Sequence, residues 1–186
     1  MNIVAINGST RAHGNTEKAL EILKEHLEKE DHTTQIINLR QKELHPCLAC
    51  YKCRGKLECV QDDDINEIFD ALRKADALIL GSPTYFSNVS SRMAMFIERT
   101  GIMSRTNDNV LKNKVGAAVA VARRAGHNVV YSILNYYFGI AKMQIATSTY
   151  WNVIIAREKG DIMNDEEGLE ILEELADSIN RMLSNK

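Results

Sequence analysis

The chain predicts an α/β fold, a parallel sheet with helices on both faces. Short apolar runs alternate with longer stretches of helical period along its 186 residues, which is how strand–helix–strand units read. Small and hydroxyl-bearing residues gather just after several of those runs, where such a sheet builds its ligand-binding loops. No internal repeat, low-complexity tract or proline- and glycine-rich linker breaks the series. One domain spanning residues 1–186, with five strands and five helices, is expected.

Residues 2–7 read as the first strand, and residues 16–29 as a helix with Leu20, Leu23 and Leu27 on its buried stripe. Residues 34–39 form a second strand in which Ile36, Ile37 and Leu39 are apolar. A cysteine-rich loop at 40–63 then leads into Asp62-Asp63-Asp64. Those aspartates are good N-caps for a helix that turns Ile65, Ile68, Phe69 and Leu72 inward. Residues 77–80 make a third strand, closed by Gly81-Ser82-Pro83. Residues 90–100 are a helix with Met93, Phe96 and Ile97 inside. Residues 115–121 are a long central strand of apolar and small residues. A helix at 129–141, a short fifth strand at 144–147 and an amphipathic closing helix at 168–183 complete the series.

A hydrophobic content of 45% with 26% charged residues is that of an ordinary globular protein. A net charge of −2 gives no electrostatic reason to expect nucleic acid or anionic lipid as a partner. No apolar run approaches the roughly 18–20 residues that span a bilayer. The start, Met1-Asn-Ile-Val-Ala-Ile-Asn-Gly8, has no basic segment or cleavage-like site. A cytoplasmic location is expected, where clustered cysteines read as metal-binding or redox groups rather than structural disulfides.

All four cysteines lie in one stretch, Cys47-x2-Cys50-x2-Cys53-x5-Cys59. Thiolates two residues apart can converge on one centre without long-range help from the fold. Three close cysteines followed by a fourth is an iron–sulfur pattern. Zinc sites more often use two separated C-x2-C knuckles or bring in histidine. The pattern points to a metal centre, and to 4Fe–4S in particular.

Three loops complete the candidate chemistry. Gly8-Ser-Thr-Arg-Ala-His-Gly-Asn-Thr16 precedes a helix, so a phosphate there can take bonds from free N–H groups at the helix start. Ser9, Asn15 and Thr16 add side-chain donors and Arg11 adds charge. The loop is neither G-x-G-x-x-G nor a Walker loop, so a mononucleotide fits best. Pro83, Thr84, Tyr85, Phe86, Ser87 and Asn88 follow the third strand. Tyr85 and Phe86 are suited to flank a flat ring, while the backbone around Thr84 and Ser87 meets its polar edge. The third loop, Ala122-Arg-Arg-Ala-Gly-His127, offers Arg123 or Arg124 to stabilise a reduced, anionic ring.

With these motifs together, the chain resembles the iron–sulfur flavoproteins of the flavodoxin-like NADPH-dependent FMN reductase superfamily. The resemblance rests on Gly8-Ser-x-Arg11-x-x-Gly14-Asn-Thr16, the cysteine run, Gly81-Ser-Pro-x-Tyr-Phe86, Arg123-Arg-Ala-Gly126 and Tyr150-Trp-Asn152. It implies a doubly wound five-stranded sheet, one FMN, one 4Fe–4S cluster, and assembly as a homodimer or homotetramer. Carried over by position, Ser9, Arg11, Asn15 and Thr16 match the phosphate site and residues 83–88 the ring loop. Cys47, Cys50, Cys53 and Cys59 match the cluster ligands. The loop at Arg123 carries more charge than flavodoxins usually have there.

The chemistry expected is passage of electrons from a one-electron donor such as a ferredoxin, through a cluster, to FMN and a small acceptor. Arg40, Lys42, Lys52, Arg54 and Lys56 surround the cysteines and serve either to offset a cluster's negative charge or to dock an acidic donor. The rival reading is a cluster-free FMN or quinone reductase fed by NAD(P)H. A zinc-stapled protein and a receiver-type signalling module stand further off. A receiver needs acidic residues after its first strand, where this chain has Asn7-Gly8-Ser9.

Overall fold

A computed structural model describes residues 1–185. Its strands are Asn2–Asn7 (β1), Thr33–Asn38 (β2), Ala77–Pro83 (β3), Val115–Ala122 (β4), Gln144–Ile145 (β5) and Val153–Ile155 (β6). Its helices are Asn15–Lys29 (α1), Ile65–Lys74 (α2), Ser91–Arg105 (α3), His127–Ile140 (α4) and Glu166–Ser184 (α5), with short 3-10 turns at Leu39–Gln41 and Asp161–Asn164.

Every strand pair is parallel, in the order β2-β1-β3-β4-β5. Strands covered on both faces read as continuous apolar runs, and all eight residues of β4 are buried. Their side chains alternate between two cores. Val4, Ile6, Leu78, Leu80, Ala118 and Ala120 meet α2, α3 and α4. Ile3, Ala5, Ala77, Ile79, Val115, Ala117 and Val119 meet α1 and α5. Gly116 marks a close approach on the first face: a Cβ there would lie 2.6 Å from the Phe138 ring.

The fifth strand position differs from the expected single run at 144–147. The chain leaves β4 after two paired residues and rejoins it at Val153. Between them Asn152, fully buried, donates through Nδ2 to the Ala118 carbonyl at 3.0 Å. Its Oδ1 accepts from Ser148 Oγ at 2.7 Å. A side chain thus takes over a strand's bonding role, and Tyr150 and Trp151 are left outside, each about half exposed.

Helix starts also shift for stated reasons. Ser90 caps α3, its Oγ accepting from Met93 N at 3.1 Å. Asp165 caps α5 through Gly168 N, so that helix begins before residue 168. Asp64 occupies the N-cap of α2 without capping through its side chain. Its Oδ2 accepts instead from Glu43 N at 2.7 Å, while Asp64 N donates to the Glu43 carbonyl at 3.1 Å. The two ends of the cysteine loop are therefore tied to each other. No helix among the described residues is long and apolar enough to cross a membrane.

Candidate functional site

The sheet order reverses between β1 and β3, and in open α/β sheets ligands bind beyond the carboxyl ends of the strands at such a point. A cleft of about 290 Å³ lies there. Its lining comes from four loops: Ser9, Arg11, Gly14, Asn15 and Thr16 after β1, Pro83 to Tyr85 after β3, Arg123 after β4, and Ala156 to Glu158 after β6.

The first loop is held open by its own bonds. Ser9 N donates to Asn7 Oδ1 at 3.0 Å, and Ser9 Oγ accepts from Arg11 N at 3.2 Å. Gly14 caps α1 with extended backbone and no side chain, which leaves the helix-start N–H groups facing the loop. Anions are favoured at such an end. Asn15 has a structural role beside the one expected. Its Nδ2 donates to the Glu158 carbonyl at 2.7 Å, and its Oδ1 accepts from Gly160 N at 3.0 Å and Ile162 N at 3.5 Å. The side chain latches the loop after β6 onto α1, which leaves its backbone N–H and one Nδ2 hydrogen on the cleft side for a ligand. That latch brings Arg157 to the cleft, where Arg11 Nη1 donates to the Arg157 carbonyl at 3.4 Å.

The loop after β3 is a tight hairpin: Tyr85 and Asn88 exchange backbone bonds, each 2.9 Å. Phe86 and Ser87 between them both have positive φ, 51° and 57°. That conformation is unfavourable for a bulky side chain and clusters at functional sites. The Phe86 ring is wholly exposed. Phe86, Ser87 and Asn88 therefore form the rim, outside the cleft lining. Ser87 packs on Gly126, whose φ of 85° and lack of a side chain permit the approach; a Cβ there would lie 2.5 Å from Ser87 Oγ. Of the two arginines in that loop, Arg123 lines the cleft, and Arg124 is exposed outside that lining.

The cleft fits a flavin mononucleotide on the donors present. Thr84 Oγ1 is buried with no partner, an unmet hydrogen-bonding group in the cleft wall. Three arginines, Arg11, Arg123 and Arg157, line the cleft.

All four cysteines line a second, smaller pocket, together with Leu48, Tyr51, Val60, Arg99, Ile102 and Met103. Cys53 is buried, Cys50 exposed, and Cys47 and Cys59 intermediate. No group of three or more ligating side chains among the described residues converges as a single-ion site. The pocket holds about 20 Å³. Its outer wall is the exposed stretch 48–51. The donor set fits iron–sulfur ligation.

The loop lacks regular structure and is stitched by polar side chains. Cys59 N donates to Asn66 Oδ1 at 2.7 Å, and Asn66 Nδ2 returns to the Cys59 carbonyl at 3.0 Å. Asn107 Nδ2 donates to the Cys53 carbonyl at 3.0 Å. The main fastening is Arg99 of α3, which the sequence reading did not single out. Its side chain is 1% exposed and that of Asp63 is 0%. Nη1 and Nη2 grip Asp63 at 2.8 and 3.0 Å, and Nη1 also donates to the His45 carbonyl at 2.8 Å. Burial pushes the Asp63 carboxyl up, but Arg99 and the amides of His45 and Ile65 outweigh it and hold it below the usual range. The signal was present: Arg99 sits on the stripe of Met93, Phe96, Thr100 and Met103, where a cation needs a buried partner. His45 itself is exposed beside Glu43, 3.3 Å away.

Residues 1–158 match the NADPH-dependent FMN reductase family. An iron–sulfur flavoprotein of Methanocaldococcus jannaschii is 33% identical, covering 96% of this chain and 95% of its own. One of Archaeoglobus fulgidus is 34% identical over 78% of this chain and 73% of its own. Among solved structures, a flavodoxin, WrbA-like protein from Agrobacterium tumefaciens superposes with a TM-score of 0.68 at 15% identity. It covers 99% of this chain and 98% of that one. A sheet of order 2-1-3-4-5, a phosphate-type cleft at its switch point and these relatives agree. The chain belongs to the NADPH-dependent FMN reductase family, within it to the iron–sulfur flavoproteins, and is an FMN-dependent oxidoreductase.

Proposed function

We propose that the protein takes electrons from a one-electron donor such as a ferredoxin and delivers them to a small-molecule acceptor, with FMN in the cleft and a 4Fe–4S cluster in the cysteine loop. The observation that carries this reading is the gathering of all four thiols around one pocket, separate from the cleft but on the same chain. When bound, a cluster supplies single-electron exchange and a flavin converts between one- and two-electron chemistry.

The chain's own residues then bind and orient. The N–H groups at the start of α1, with Thr16, Arg11 and Arg157, hold the phosphate. Thr84 and Tyr85 meet the ring, and Arg123 stands where negative charge on it is stabilised. No protein nucleophile is required. The histidines of these loops have no catalytic part in this reading. Assembly as a homodimer or homotetramer would cover Tyr136, Ile140, Tyr150 and Trp151, all exposed, whereas Tyr137 and Phe138 belong to the core. The cytoplasm is the compartment consistent with free, clustered thiols.

The test begins with protein purified without oxygen and assayed for iron, acid-labile sulfide and FMN. About four irons and one FMN per chain are expected, with the visible absorbance bleached by reduced ferredoxin. Cys50→Ala should lose the iron and ferredoxin-linked reduction while keeping FMN. Retention of both iron and that reduction in the variant would refute this reading. The family itself favours a second reading, a cluster-free FMN or quinone reductase fed by NAD(P)H. FMN without iron, bleached by NAD(P)H alone, would establish it instead.

A further inference from the structure

The geometry points to Arg99 as the residue that tunes the reduction potential of the centre held by the cysteine loop, through a buried charge set beside the Cys59 ligand. This inference rests on the reading that the loop holds an iron–sulfur cluster.

Three observations carry it. Arg99 lines the same pocket as all four cysteines, on the wall formed by α3 with Ile102 and Met103. Its side chain is 1% exposed, so water screens its charge little. Lys52, Arg54 and Lys56, by contrast, are exposed, and solvent and salt weaken their field. Finally, the two Nη atoms are spent on Asp63 and His45, and the buried Nε meets no oxygen or nitrogen acceptor. A buried cationic donor short of an acceptor, set among four cysteines, suits an anionic centre held by them.

The side chain is also aimed rather than free to turn. The two-point grip on Asp63 fixes the plane of the guanidinium, and Asp63 is itself held by the amides of His45 at 3.0 Å and Ile65 at 3.2 Å. Burial tends to lower the pKa of Arg99, but Asp63 and the Cys59 side chain raise it further, so the guanidinium stays charged beside the pocket that both residues line. Taking up one electron makes a cluster one unit more negative, with no bond made or broken. A fixed positive charge nearby stabilises that form and raises the potential, and cluster potentials respond to charge and hydrogen bonds at the sulfurs. Asp63, paired with the guanidinium, opposes the effect. Arg99 is thus a positioning and tuning residue, which need not touch the substrate.

The opposed charges give a test that a merely structural role cannot imitate. Arg99→Gln, Arg99→Lys and Asp63→Asn would be purified without oxygen, assayed for iron and sulfide, and titrated electrochemically with the cluster followed by electron paramagnetic resonance. Arg99→Gln should make reduction about tenfold less favourable, a fall of about 59 mV for one electron. Asp63→Asn should shift the potential upward, because the guanidinium loses its counter-charge. Arg99→Lys should stay near the parent value. Shifts of the same sign in Arg99→Gln and Asp63→Asn, or unchanged potentials in both, would overturn the inference. If Arg99→Gln loses its iron, the other two variants decide it: an unchanged potential in Asp63→Asn, or a fall in Arg99→Lys, counts against Arg99. Wild-type protein without iron would remove the underlying reading, and the metal assay reports that separately from the potential.

Discussion

Single side chains divide here into those that face a ligand and those that hold the facing groups in place. Arg11 belongs to the first kind. Arg11→Ala should weaken FMN binding by about tenfold, about 1.4 kcal/mol, and leave riboflavin binding nearly unchanged, because riboflavin has no phosphate. Fluorescence titration of both ligands reads the difference, and equal losses for the two would place Arg11 elsewhere. Asp63 belongs to the second kind. Its carboxyl is depressed in the folded protein, so its stabilising contribution is complete above the unfolded value of about 3.9. That contribution is lost as pH falls through the lower, folded value. Thermal melts taken downward from pH 6 should show the wild type losing stability in this acid window, with Asp63→Asn flatter across it. At neutral pH the neutral amide should cost about 3–5 kcal/mol, since it leaves Arg99 buried without its counter-charge. Asp63 was legible only as one of three capping aspartates, because its partner lies 36 residues away. Sequence spacing shows local patterns such as the cysteine run, and long-range pairs of this kind only as an arginine out of place on an apolar stripe.

At the scale of elements, the latch between α1 and the loop after β6 matters most. Asn15→Ala removes one donor and one acceptor that reach Glu158, Gly160 and Ile162. Leaving these groups unmet should cost about 1–3 kcal/mol, seen as a lower denaturation midpoint. FMN affinity should fall with it, because the loop carries Arg157; an unchanged affinity would separate the latch from the cleft. Asparagine in a glycine-rich loop reads naturally as a phosphate ligand. Its use as a strut depends on a segment more than 140 positions onward, which no local pattern announces. The strands and helices were more legible, since burial on both faces leaves the apolar run itself as the signal. The divided fifth strand was not, because Asn152, a polar side chain, does the work of the missing backbone pairs.

Across the whole molecule, charge is unevenly placed although the net value is only −2. Lys52, Arg54 and Lys56 lie exposed on the cysteine loop, with Leu48, Tyr51 and Val60 also exposed there. An acidic electron donor should meet this face, and its rate of reduction should drop by about tenfold as salt screens the encounter. Stopped-flow traces at rising ionic strength check this, and a flat response would exclude charge-steered docking. The doubly wound architecture and its switch-point cleft followed from the alternation of elements and the loops after β1 and β3. Arg157 was missed because it follows a strand that the apolar pattern did not show.

The bonds between Glu43 and Asp64 have a wider consequence. Where a segment's two ends are tied together, the sheet bears no tension from whatever lies between. Each doubling of such a loop's length costs only about 0.6 kcal/mol of closure entropy. The exposed part of the cysteine segment is in effect an interchangeable cassette. Evolution can lengthen it or strip its thiols, and the flavin scaffold underneath keeps its shape so long as Asp63 and the His45 carbonyl stay to meet Arg99.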